Sequence, residues 1–174
     1  MEEILGDLIK IFLPAAAVLY AMFLTVKAFL NKDFEKRLVD IKLKNTELIL
    51  PLRMQAYERM CLFLERISPH NLILRVNEPA YNVAQFHQRL LSEVREEYNH
   101  NLSQQVYMSD QSWTIIKGAM EEVISIINKS SSGLAMDARG MELAKMIFEN
   151  LLQKNEDPTS KALKYIKNEI RQVF

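Results

Sequence analysis

Ile11 to Val26 reads IFLPAAAVLYAMFLTV, sixteen consecutive residues without a charged side chain. Carried out to Leu8 and Leu30, the stretch takes in only Lys10 and Lys27, one near each end. About 20 apolar residues in a helix cross a hydrocarbon core of ~30 Å, and lysines at the ends can lift their ammonium groups to the headgroups while their stems stay in the apolar layer. Pro14 falls near the front of the run, where a missing backbone donor costs least. The expectation is a transmembrane helix spanning about residues 8–30. Three rival readings exist. A cleaved signal peptide wants a basic start, whereas this chain opens with Glu2, Glu3 and Asp7. An interfacial helix wants one polar face, and this run is apolar all round. The core helix of a soluble protein remains open because the charge-free run is short.

Charge sets the expected orientation. Lys27, Lys32, Lys36, Arg37, Lys42 and Lys44 follow the span, while acids and Lys10 precede it. The positive-inside rule then puts the bulk of the chain in the cytosol, at an inner or plasma membrane. On that side, the sequons at Asn101 and Asn128 are chance matches.

Beyond the span, Phe34, Leu38 and Ile41 recur at helical spacing among charged residues, which predicts a juxtamembrane stalk helix over 31–47. The remainder, 48–174, reads as a helical domain. Pro51 can open a helix running to Ile67, with an apolar arc of about 200° on its wheel. NLILRV (71–76) is a strand or, better, a buried loop or helical turn, since one strand alone has nothing to pair with. From Asn82 to Tyr107, Phe86, Leu90, Val94, Tyr98, Leu102 and Val106 recur every fourth residue; either the seam wraps around successive partners or the helix breaks near Asn99–Asn101. Ser109-Asp110 offers an N-cap to an amphipathic helix carrying Trp113, Ile116, Met120, Val123, Ile124 and Ile127. A helix over about 137–154 and a last one capped by Asp157 and started by Pro158, with Val173 on its apolar side, complete the count. No repeat recurs, and heptads are not sustained, which argues against a solenoid and a long coiled coil. The fold class expected is all-α: an N-terminal transmembrane helix with its stalk (domains 1–30 and 31–47), followed by a small bundle of about five helices.

Composition excludes more than it offers. Lys plus Arg equals Asp plus Glu at 22 each, so nucleic acid, which needs a basic excess, is not an expected partner. A single cysteine, Cys61, precludes an intrachain disulfide, and no cluster suits zinc. Four scattered glycines form no phosphate loop. No cofactor and no catalytic residue is expected.

The polar residues worth following are Arg53, Glu58, Glu65 and His87. Arg53 projects into the apolar arc of its helix, where an unpaired guanidinium is costly; it pairs with an acid from another helix, reaches lipid headgroups, or marks a ligand site. Glu58 and Glu65 stack seven apart beside Arg59 and Arg66, a pattern for ion pairs rather than a bundle metal site, which uses Glu-x-x-His. His87, between Val83, Leu90 and Val94, reads as a core histidine with one nitrogen satisfied, the alternative being a metal ligand. Basic residues on the last helix (Lys161, Lys164, Lys167, Arg171) suit either packing onto the bundle or an anionic membrane surface.

Leu48 to Val76, LILPLRMQAYERMCLFLERISPHNLILRV, carries the words QAYER and FLERISP and resembles a family of uncharacterised single-pass helical proteins from Bacteroidota-type bacteria. The resemblance covers most of the chain. It implies a bacterial inner membrane and brings no activity, ligand or catalytic residue with it.

The function expected is a membrane-anchored cytosolic interaction or scaffold module, with the lipid bilayer and a protein partner or homo-oligomer as its associates; nine methionines suit adaptable apolar contacts. The alternative is a stalk or accessory subunit of a larger membrane complex, resembling the tethering stalks of rotary ATPases. An enzyme is the least favoured reading and requires Arg53, Glu58 and His87 to converge on one pocket.

Overall fold

A computed structural model describes the backbone of residues 2–154 and 157–172, and the side chains of 12–153 and 157–172. Leu8 and Lys10, at the front of the expected span, therefore have side chains outside the described set, and Val173 lies outside it altogether. The order is α1 (Glu2–Ile67), α2 (Pro69–Val76), α3 (Val83–Asn101), a 3₁₀ turn (Leu102–Tyr107), α4 (Asp110–Ser131), α5 (Gly140–Lys154) and α6 (Pro158–Arg171). Among the described residues there are no strands, so the fold is all-α. The chain divides into two units, 1–49 and 50–174.

The described residues of the first unit, 2–49, are helix alone. Phe12–Ile67 of α1 contains an 18-residue window of mean hydropathy 1.8 with none of it buried, long and apolar enough to cross a membrane. Threonine hydroxyls inside it bond back to the preceding turn, Thr25 Oγ1 to the Ala21 carbonyl at 2.8 Å and Thr46 Oγ1 to that of Lys42 at 2.9 Å. Asp33 and Arg37 pair at 2.8 Å, an i,i+4 contact worth only tenths of a kcal/mol.

No new helix opens at Pro51: α1 continues through it to Ile67. A fresh start would leave Leu50 as N-cap, one of the poorest residues for that position. Keeping the helix forfeits one backbone bond, and good helix formers flank the proline on both sides.

In the second unit, Tyr57, Met60, Phe63, Leu64 and Ile67 at the end of α1 are buried in one core with residues of α2 to α6. Ser68 ends α1 by donating its hydroxyl to the Glu65 carbonyl at 2.8 Å, and Asn71 Nδ2 donates to the same oxygen at 2.9 Å. Pro69 then opens α2, which makes NLILRV helical, with Leu72, Ile73 and Val76 buried. α3 begins with a reciprocal cap between Asn82 and Gln85, at 2.9 and 3.1 Å. Its seam is buried at Phe86, Leu90 and Val94, but Leu102 and Val106 are exposed. A four-residue step rotates about 40° per repeat, and the chain abandons the seam by breaking into the 3₁₀ turn after Asn101. Ser109 and Asp157 cap α4 and α6 as their positions predict.

α5 starts at Gly140, three residues later than expected, because the preceding loop serves α3. The carbonyls of Ala138 and Met136 accept from Val83 and Ala84 N–H at 2.9 and 3.1 Å, two donors that α3 cannot satisfy itself. Gly140 N–H donates to the Tyr81 carbonyl at 2.9 Å. A Cβ at position 140 would sit 3.0 Å from that same oxygen and 3.2 Å from Phe86 Cβ. Backbone bonds hold both sides of this junction, so neither side can yield cheaply. Gly140→Ala is expected to destabilise the protein by about 1–3 kcal/mol in chemical denaturation, the cost typical of overpacking.

Candidate functional site

Three places in the second unit bring polar or apolar side chains together. The first is a cleft of about 570 Å³ between the end of α1 and α3. Leu62, Phe63 and His100 form part of its wall, and Arg59, Arg66, Glu93, Glu96 and Glu97 give it charge. Its carboxylates are engaged. Arg66 binds Glu97 with Nε at 2.6 Å and Nη2 at 2.5 Å. Glu93, only 9% exposed, accepts from Arg75 of α2 and from Arg89 at 2.6 Å. The Ser92 hydroxyl donates to Glu96 at 2.5 Å. An incoming ligand must compete with these pairs, so the cleft works first as an electrostatic clamp joining α1, α2 and α3. Beneath it, Tyr98 stacks on Trp113 with centroids 5.7 Å apart, and Phe63 meets Tyr98 at 6.1 Å.

The second is a polar knot in which α6 returns to α1 and α4. Glu169 accepts from the Tyr57 hydroxyl at 2.9 Å and from Ser112 Oγ, whose residue is fully buried. Burial first, and then the carboxylate of Glu169, push the Tyr57 hydroxyl above its ordinary pKa, so it stays a neutral donor. Arg53 belongs here: half-buried, it donates from Nε to the Tyr107 carbonyl at 3.3 Å, and its positive charge partly offsets the rise in the Tyr57 pKa.

The third is an apolar groove of about 430 Å³ between α2 and α5, walled by Ile73, Leu74, Met141, Ala144, Phe148 and Leu152. Leu74, Met141 and Leu152 are 68%, 60% and 78% exposed, far more than core residues of their kind.

The other followed residues lie elsewhere. Glu58 and Glu65 are exposed on α1. His87 is half-buried rather than in the core, with Nε2 at 2.8 Å from Asn128 Oδ1 of α4. It lines a shallow groove with neighbours from its own helix, among them Leu91, Arg95 and Asn99. Arg53, Glu58 and His87 share none of these clefts. No group of three or more His, Cys, Asp or Glu among the described residues is placed to hold a metal ion. Apart from the i,i+4 pair of Arg89 with Glu93, the contacts of Glu93, Glu97 and Glu169 join residues 18 to 112 positions apart, which no spacing rule connects.

Cys61 is half-buried on α1. Desolvation raises its thiol pKa, opposed by Lys167 and helped by Glu65 and Glu58. The thiolate is the reactive form. Maleimide labelling of the native protein near pH 7 is therefore expected to run at least about tenfold slower than after unfolding, and to accelerate as pH rises. Equal rates in the two states would contradict the burial.

These features define a class: an all-helical protein with a charged clamp, an apolar groove and one helix long enough and apolar enough to cross a membrane. The chain belongs to a family of unknown function, DUF7935, which matches residues 3–173. No curated protein and no solved structure matches it.

Proposed function

We propose that the chain is a single-pass membrane protein whose residues 8–30 cross the bilayer and whose second unit recruits or scaffolds another protein in the cytosol. The supporting observation is the exposed apolar window of α1. In a soluble protein an apolar helix of that length is buried, because leaving it in water forfeits roughly 25 cal/mol per Å²; lipid is the solvent in which its exposure carries no penalty. The lysines and Arg37 that follow the span favour the cytosolic side for the rest, and a bacterial inner membrane fits this reading. The apolar groove between α2 and α5 supplies the docking surface, since exposed apolar patches of this kind mark interaction sites. Catalysis has no part in the proposal, because Arg53, Glu58 and His87 stand apart.

Affinity purification of the full-length protein from detergent-solubilised membranes tests the recruitment role. A partner that co-purifies with the native chain and is lost from Leu74→Asp or Met141→Asp supports it. Isolation of a fixed, stoichiometric multisubunit assembly unaffected by those substitutions would replace it with an accessory-subunit role.

A further inference from the structure

In the first unit, on the far side of the expected span, large apolar side chains stay in the open. Phe34 is 65% exposed, Leu38 46%, Ile41 56% and Leu48 71%. Val39, Leu43 and Ile49 are exposed too, at 54%, 57% and 50%, on other faces of the helix. Residues 34, 38, 41, 45 and 48 follow one another by four, three, four and three, the spacing of alternating d and a positions over two heptads. Asn45 occupies an a position. A buried asparagine there sets register and favours two parallel strands, at some cost in stability. Carried back toward the span, the same register puts Asn31 and Lys27 on the seam at the membrane edge, and then Leu24, Tyr20 and Ala17.

We infer that this stripe is covered by the same stripe of a second copy, forming a short parallel two-stranded coiled coil just outside the bilayer. The inference rests on the membrane-spanning reading, because two copies anchored the same way round present the stripe in parallel and at the same height. The area available is consistent with that dependence. At 60–120 Å² of apolar surface per large side chain, eight such residues bury about 500–1,000 Å². That reaches only the lower edge of what a specific interface between free proteins requires, about 1,000 Å². Confinement in one bilayer removes much of the translational and rotational cost, as a linker does, by raising the local concentration. Two contacts oppose the pairing: Lys27 meets its own copy at a d position, where its ammonium can lift to the headgroups, and Arg37 at a g position faces Lys42 of the second copy. Arg37 is already neutralised by Asp33 at 2.8 Å, and exposed like-charge contacts cost only tenths of a kcal/mol.

Disulfide trapping in native membranes tests this. On a Cys61→Ala background, Leu38→Cys and Ile41→Cys put thiols on the seam, whereas Val39→Cys and Asp40→Cys put them on other faces. A disulfide needs Cα atoms within about 7 Å, which the seam positions satisfy and the others do not. The expected result is oxidised dimer at 38 and 41, several-fold above that at 39 and 40. No dimer, or equal dimer at all four positions, overturns the inference. Carbonate extraction of the same membranes separates the two claims. Protein retained in the pellet without seam-specific crosslinks sinks the dimer alone; protein released by carbonate sinks the spanning reading whatever the crosslinks show.

Discussion

The double substitution Val18→Asp, Met22→Asp is expected to move the full-length protein out of the carbonate-resistant membrane fraction. Both residues lie near the middle of the proposed span, one turn apart, and both are exposed in the structure, at 67% and 63%. No partner in the fold could compensate a charge there. An aspartate at the centre of a transmembrane helix costs about 2.5–3.5 kcal/mol. Two on one face cost roughly 5–7 kcal/mol, on the order of a 10⁴-fold change in partition. Val106→Asp serves as the control: that residue is 77% exposed on the 3₁₀ turn, and its substitution should leave the distribution unchanged. If the double variant stays in the membrane as firmly as the native chain, α1 is not the anchor.

The second large effect is in the core. Phe86 is fully buried, and its Cβ lies 3.2 Å from where a Cβ on Gly140 would stand, so it sits where α3, α5 and the loop before α5 meet. Backbone bonds from Val83, Ala84 and Gly140 fix that junction and limit its collapse around a void. Phe86→Ala is therefore expected to cost about 3–5 kcal/mol, a large part of a typical domain's 5–15 kcal/mol. For a unit of this size the unfolding midpoint of the detergent-solubilised protein should fall by on the order of 10–20 °C. Leu152→Ala, at a residue 78% exposed, should change stability by less than about 0.5 kcal/mol. A Phe86→Ala variant as stable as the native protein would mean that α3 is not packed as described.

What the sequence makes legible is local. Ser109, Asp157 and Pro158 mark helix starts because a cap acts on the next three residues, and each is used in the structure. The apolar faces of α4 and α6 are equally readable from their period, down to Ile116, Val123, Ile127 and Ile166. Pro51 misleads because a proline both starts helices and is tolerated inside them; Leu50, a poor cap, is the residue that tells the two apart. The late start of α5 is invisible locally, because the bonds that delay it run to α3, more than fifty residues earlier. Distance in the chain also hides the polar features. Arg66 and Glu97, Arg75 and Glu93, and Tyr57 and Glu169 meet only once helices from different parts of the sequence pack together. For Arg53 the sequence suggests an acid of another helix, lipid headgroups or a ligand, whereas its hydrogen-bond acceptor is the main-chain carbonyl of Tyr107, and no side-chain pattern encodes that.

The proposed function requires residues 8–30 to lie in lipid with everything after them on the cytosolic face. Its most direct test is labelling of a single exposed thiol, Ser132→Cys on the Cys61→Ala background, with a membrane-impermeant maleimide. The loop at 132 is solvent-facing, so access depends only on which side of the membrane it occupies. Membrane-bound protein should stay unlabelled while the plasma membrane is intact and be fully labelled once it is opened. Labelling before the membrane is breached, or recovery of the intact chain in the soluble fraction without detergent, would contradict that placement.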